Sequence, residues 1–131
     1  MIVLDEQVRA DQRVLLARCG IAFRQIGKDV ALGGTKDENL VPFLLTLKRP
    51  TFFTHDHGFF QAHLVHGRYC LALLAESDIE AAVYIRRFIR HPLFDTNAKR
   101  MGTVARVHRG GISFWQGGGS ALRRVVWPGE R

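Results

Sequence analysis

The sequence predicts an α/β fold with a mainly parallel central sheet and a C-terminal antiparallel hairpin. Three observations lead there. Short apolar runs alternate with helical stretches over the first hundred residues, the pattern of repeated strand-helix-strand units. One of those runs, Tyr69 to Leu74, is continuously apolar, as expected of a strand covered on both faces. The last thirty residues change character, with two β-rich runs meeting at Gly110-Gly111. The chain is read as a single domain over 1–131, an α/β body at 1–100 and a β appendage at 101–131.

Ile2-Val3-Leu4 reads as a buried first strand ending at Asp5-Glu6. Arg9 to Cys19 has helical character and Gly20 is placed to stop it. Ile21 to Ile26 returns to the sheet, and Gly27 to Gly34 is a loop with three glycines. Thr35 and Glu38 have capping-box spacing, so a helix is expected from Thr35 through Leu47, with Pro42 a kink or restart point. Thr51-Phe52-Phe53-Thr54-His55-Asp56-His57-Gly58-Phe59-Phe60 opens as a strand that Gly58 interrupts. Alternation along it would put Phe52, Thr54 and Asp56 on one side.

Phe59 to Val65 suggests a short helix, and Tyr69 to Leu74 the fourth strand. Ser77, with Glu80 three residues on, is expected to cap a helix running to about His91, where Pro92 closes it. Thr103 to His108 and Ile112 to Gln116 form the hairpin, and Leu122 to Trp127 supplies a further strand.

A hydrophobic fraction of 47% supports a packed core. No apolar run approaches the ~20 residues needed to cross a bilayer, so no membrane partner is expected. The first residues lack the pattern of a secretory signal, and Cys19 and Cys70 are too few for a disulfide framework. A cytoplasmic location follows as an expectation. Net charge is +7, which suits a polyanionic partner through counterion release, or simply a basic protein.

Three acidic positions fall at the expected carboxyl edge of the sheet: Asp5-Glu6, Asp37-Glu38 and Asp56. Converging carboxylates repel one another and are costly to bury unless a divalent cation neutralises them. Mg²⁺ or Mn²⁺ suits such hard oxygen ligands and stabilises charge in phosphoryl transfer. Each acid also has an ordinary explanation: capping and dipole for Asp37 and Glu38, solvation for Glu6, a turn for Asp56. A rival reading takes His55 and His57, with His63 and His66, as zinc ligands, against turn or surface histidines. Trp115 and Trp127 would cover a homodimer interface or complete the core.

These motifs resemble those of PIN-like domains in small toxin-type proteins. Asp5-Glu6 resembles the first-strand "DE", and Leu32-Gly33-Gly34-Thr35-Lys36-Asp37-Glu38 is similar to that group's glycine loop followed by "DE". Thr54-His55-Asp56-His57-Gly58-Phe59 resembles "TxDxDF", with Gly58 where the second Asp of the motif stands. Order and spacing agree over most of residues 1–116.

The resemblance implies a PIN-like three-layer fold and a metal-dependent ribonuclease, the toxin of a toxin-antitoxin pair held by a small antitoxin protein. It implies that Asp5, Asp37 and Asp56 are the catalytic acids and hold Mg²⁺ or Mn²⁺, with Glu6, Glu38 and Lys36 in support, and with Glu6, Glu38 or Asp78 to compensate for the acid missing at Gly58. The alternative is a catalytically degenerate module of the same fold that binds nucleic acid or regulates a partner. Arg86, Arg87 and Arg90, or Arg106, His108, Arg109, Arg123 and Arg124, are candidate RNA contacts.

Overall fold

A computed structural model describes residues 1–26, 37–119 and 121–129, with Asp37 and Glu38 described by backbone alone. Seven strands form one sheet: β1 (Ile2–Leu4), β2 (Arg24–Gln25), β3 (Thr51–Thr54), β4 (Cys70–Leu74), β5 (Thr103–His108), β6 (Gly111–Gln116) and β7 (Arg123–Val125). They lie in the order β2-β1-β3-β4-β5-β6-β7. The first five strands are parallel, and β6 and β7 add antiparallel pairs. The α/β class, the mainly parallel sheet and the C-terminal antiparallel hairpin therefore stand as expected.

Side-chain alternation sorts the sheet into two apolar rows. Leu4, Phe53, Ala72, Ala105 and Phe114 are consecutive partners across β1, β3, β4, β5 and β6. They pack against α1 (Ala10–Arg18), through Leu16, and α3 (Ala81–Arg90), through Ala81, Ala82, Tyr84, Ile85 and Phe88. The neighbouring row, Val3, Phe52, Leu71 and Val104, faces the other way, against Leu40 and Leu44 of α2 (Asp37–Leu44). Phe59 closes onto the same face, its ring T-shaped to Phe52 at 5.9 Å between centroids. The result is three layers.

Because α1 and α2 cover opposite faces, the chain leaves β1 for β2 on one side and returns to β3 on the other. The direction of winding reverses there, and the carboxyl ends of β1 and β3 diverge around a crevice. Open α/β sheets bind their ligands at such a point.

Several elements are shorter than expected, each for a local reason. The second strand is two residues long, with Ile26 adding a single bond to the Leu4 carbonyl at 3.0 Å. β3 ends at Thr54, so the alternation expected to carry Phe52 and Thr54 on to Asp56 stops short. The Thr54 hydroxyl accepts the Asp56 N–H at 3.0 Å and the Asp56 carboxylate accepts the Gly58 N–H at 2.8 Å, turning the chain out of the sheet. Phe59 to Val65 holds no α-helix, only the end of a 3-10 turn at His57–Phe59 and a second at Ala62–Leu64. α2 contains Pro42, whose missing N–H breaks the ladder, and it ends two residues later. The Thr35 cap expected for it lies outside the described residues.

The expected Ser77 cap moves as well. The Ser77 hydroxyl accepts from the Ile79 N–H in a 3-10 turn, Asp78–Glu80, and does not cap α3. The first turn of α3 is satisfied from α1 instead, where buried Gln12 accepts the Ala82 N–H at 2.9 Å. A fourth helix, α4 (Asn97–Arg100), capped by Thr96, had no clear signature. Its Arg100 is buried and donates to the Thr51 hydroxyl, the Phe94 carbonyl and Asn97.

The hairpin turns at Arg109-Gly110, and Gly111 already belongs to β6. Gly111 has φ +143°, and a Cβ there would lie 2.0 Å from the Val125 carbonyl oxygen, so β6 and β7 approach through a position only glycine fills. Trp127 completes the core: it is 1% exposed and its indole donates to the His108 carbonyl at 2.9 Å. It does not face a partner. No described helix is long and apolar enough to cross a membrane.

Candidate metal site at the carboxyl edge

Asp5 stands one residue past β1 and remains tied to the sheet, its N–H donating to the Phe53 carbonyl at 2.9 Å. Its carboxylate is oriented from both sides. The Thr54 hydroxyl donates to Oδ2 at 2.7 Å, and the Glu6 N–H donates to Oδ1 at 2.8 Å. Thr54 also accepts from the Asp56 backbone, so one hydroxyl couples the acid after β1 to the acid after β3. The loop carrying Asp5 and Glu6 is held from below by Gln25 on β2. Its side-chain amide lies 3.3 Å from each of the Asp5, Glu6 and Val8 carbonyls.

A cavity of about 270 Å³ opens at this point. Asp5, Glu6, Asp56 and His55 line it together with Ile26, Leu40, Phe52 and Phe59. Burial raises the Asp5 pKa above the ordinary carboxylate value, and the charges of Glu6 and Asp56 push the same way, against the hydrogen bonds from Thr54 and Glu6. Three acids thus share one crevice. Asp56 is exposed, and one of its oxygens is engaged by Gly58.

The residues read from the sequence fall into three groups. Asp5, Glu6 and Asp56 are brought together. Asp37 begins α2 one turn before Leu40, which lines the cavity, so the helix start stands beside it. The side chains of Asp37 and Glu38, and Lys36 altogether, lie outside the described residues. Asp78 is elsewhere, 3.9 Å from Arg9. Gly58 puts no acid into the crevice, but its N–H fixes Asp56.

The histidines do not assemble. His55 Nδ1 meets the Leu74 carbonyl at 3.1 Å, which makes that nitrogen the protonated one. His66 accepts the Arg68 N–H and stacks on Tyr69. Among the described residues no three His, Cys, Asp or Glu side chains form a metal-binding group. Sequence reasoning missed Gln25 altogether, and it named Thr54 within a motif and His55 as a zinc ligand without giving either its role in holding this site. A hydroxyl at the end of a strand, two residues before an acid, is the available signal for Thr54.

Of the candidate RNA contacts, Arg109 is committed to Glu76 and Glu80, at 3.6 and 3.5 Å. Arg123 lies over the Phe114 ring at 4.9 Å, on the α1 and α3 face. Arg87 lies over Trp127 at 4.7 Å. Arg106 and Arg124 sit on the other face, the one that holds the crevice.

Comparison with protein-family models, with curated proteins and with solved structures yields no match.

Proposed function

We propose that this chain is a PIN-like, Mg²⁺- or Mn²⁺-dependent ribonuclease that hydrolyses RNA phosphodiester bonds at the crevice between β1 and β3. The observation that carries this reading is the meeting of Asp5 and Asp56, remote in sequence, at the winding reversal of the sheet, with Thr54 bonded to both. The donor set fits the ion. Mg²⁺ is usually held by one or two carboxylates, with waters and substrate phosphate completing its shell, and a full protein cage is not required.

Asp5 and Asp56 would hold the metal, with Asp37 a third ligand by the resemblance and Glu6, Glu38 and Lys36 in support. The bound ion supplies Lewis-acid stabilisation of the phosphate and lowers the pKa of a bound water. The chain's own residues prepare the site. Thr54 and the Glu6 N–H hold the Asp5 carboxylate in one orientation, and Gly58 does the same for Asp56. The side chains of Ile26, Leu40, Phe52 and Phe59 form the apolar part of the crevice beside the half-buried Asp5. The raised Asp5 pKa means that protons compete with the metal as pH falls.

The biological setting that the resemblance supplies is the toxin of a toxin-antitoxin pair, with a small antitoxin protein as partner. One observation favours a second reading, a degenerate nucleic-acid-binding module. Gly58 occupies the position of an acid in the motif that the chain resembles.

Incubation of the purified protein with mixed RNA, in Mg²⁺ or Mn²⁺ and in EDTA, separates the two. The nuclease gives metal-dependent cleavage that Asp56→Asn lowers at least a hundredfold, whereas the degenerate module retains RNA and cleaves none. Cleavage that Asp56→Asn leaves intact would sink the proposed site.

A further inference from the structure

The row of partners that begins at Thr54 continues across the sheet through Leu73, Arg106, Ser113 and Arg124. Residues in one such row point to the same face, and neighbouring strands are ~4.8 Å apart. Arg106 therefore stands roughly 10 Å, and Arg124 roughly 19 Å, from the threonine that holds Asp5, on the face that opens into the crevice. Ser113, between the two arginines, is 3% exposed.

His108 lies on the same face two residues beyond Arg106, its Nε2 3.2 Å from the Ser113 hydroxyl and its Nδ1 accepting the Gly110 N–H. Burial lowers its pKa, and both Arg106 and Arg124 lower it further, so the two guanidinium groups are electrostatic neighbours of one imidazole. Among the described residues neither arginine has a carboxylate within salt-bridge distance. The two positions nearby that are paired, Arg109 with its glutamates and Arg123 over Phe114, point elsewhere.

A second feature adjoins this row. Trp115 lies two residues along β6 from Ser113, on the same face, and its ring meets that of Phe60 with 4.6 Å between centroids. Both are only partly buried. Unpaired cations beside a partly open aromatic pair are the combination that binds single-stranded nucleic acid, phosphates on the cations and bases on the rings.

The geometry points to a single-stranded RNA track across β5, β6 and β7, in which Arg106 and Arg124 hold successive phosphates and lead the strand to the acids at β1 and β3. Only its destination rests on the ribonuclease reading. Binding itself requires neither a metal nor cleavage.

The test measures anisotropy of a labelled single-stranded RNA of ~12 nucleotides in EDTA, over a salt series. Arg106→Ala and Arg124→Ala should each weaken binding about fivefold or more, and each should lower the salt slope by about one. Arg123→Ala, one residue from Arg124 but on the opposite face, should bind as the parent does. Thermal melts matching the parent show that each variant is folded. Equal losses in Arg123→Ala and Arg124→Ala would overturn the track, as would parent-like binding by the Arg106→Ala/Arg124→Ala double variant. So would a duplex, or polyglutamate of matched charge, that competes better than the single strand. Failure of the metal-dependent cleavage assay bears on the acids alone.

Discussion

The two ends of this sheet handle polar residues in opposite ways. In β3 and β4 every residue is buried, because helices or turns cover both faces. Chemistry in that half can stand only where strands end, and the acids do so, Asp5 after β1 and Asp56 after β3. β5 and β6 are joined by a tight turn, β7 follows without an intervening described helix, and burial alternates or lapses in β5 and β7. There polar side chains stand along the strands, so Arg106 and Arg124 can occupy a face. Parallel strands covered on both sides concentrate function at an edge, whereas antiparallel strands can spread it over a surface.

The sharpest way to break the comparison is to open the shared core. Phe53 is fully buried in β3 and its ring is T-shaped to Phe88 at 5.8 Å. Phe53→Ala should cost about 3–5 kcal/mol, measured by urea unfolding. A loss below about 1 kcal/mol would mean that the row linking β1 to β6 is not the common core described here.

Gly111→Ala should act on the antiparallel end alone. The new Cβ must displace the Val125 carbonyl, at a cost of about 2–3 kcal/mol, and should loosen Trp127 from its seat on His108. A red-shifted tryptophan emission, with the contribution of Asp5 to the pH dependence of stability preserved, is the expected result. Loss of both together would show that the two ends fold as one unit.

The smallest effect concerns pH. Burial raises the folded-state pKa of Asp5 above its unfolded value. The folded state then holds the proton more tightly, so stability falls as pH rises from the unfolded pKa through the folded one. Asp5→Asn should remove that decline, making the variant gain on the parent between pH 4 and neutrality in paired thermal melts. A parent that instead gains stability over this interval relative to Asp5→Asn would reverse the assignment.

Much of this was legible in the chain itself. Ile2-Val3-Leu4 and Tyr69 to Leu74 read as buried strands and stand as β1 and β4, and Gly20, Pro92 and Gly110-Gly111 marked real boundaries or turns, since backbone sterics act locally. Strand lengths were less legible. β3 stops at Thr54 because the Thr54 hydroxyl takes the Asp56 N–H and the Asp56 carboxylate takes the Gly58 N–H, and apolar content does not report those two bonds. The fourth helix was missed because its four residues rest on Thr96 and on the buried Arg100.

For the site, local sequence determined which residues carry charge and that acids follow strands: Asp5-Glu6 and Asp56 were visible as such. Only the tertiary structure decided that β1 and β3 are neighbours, that Thr54 holds Asp5, and that Arg124 shares a face with the crevice while Arg123 does not. The reason is physical. Propensity and alternation are properties of neighbouring residues, whereas strand order and register depend on which apolar faces bury one another across the whole chain.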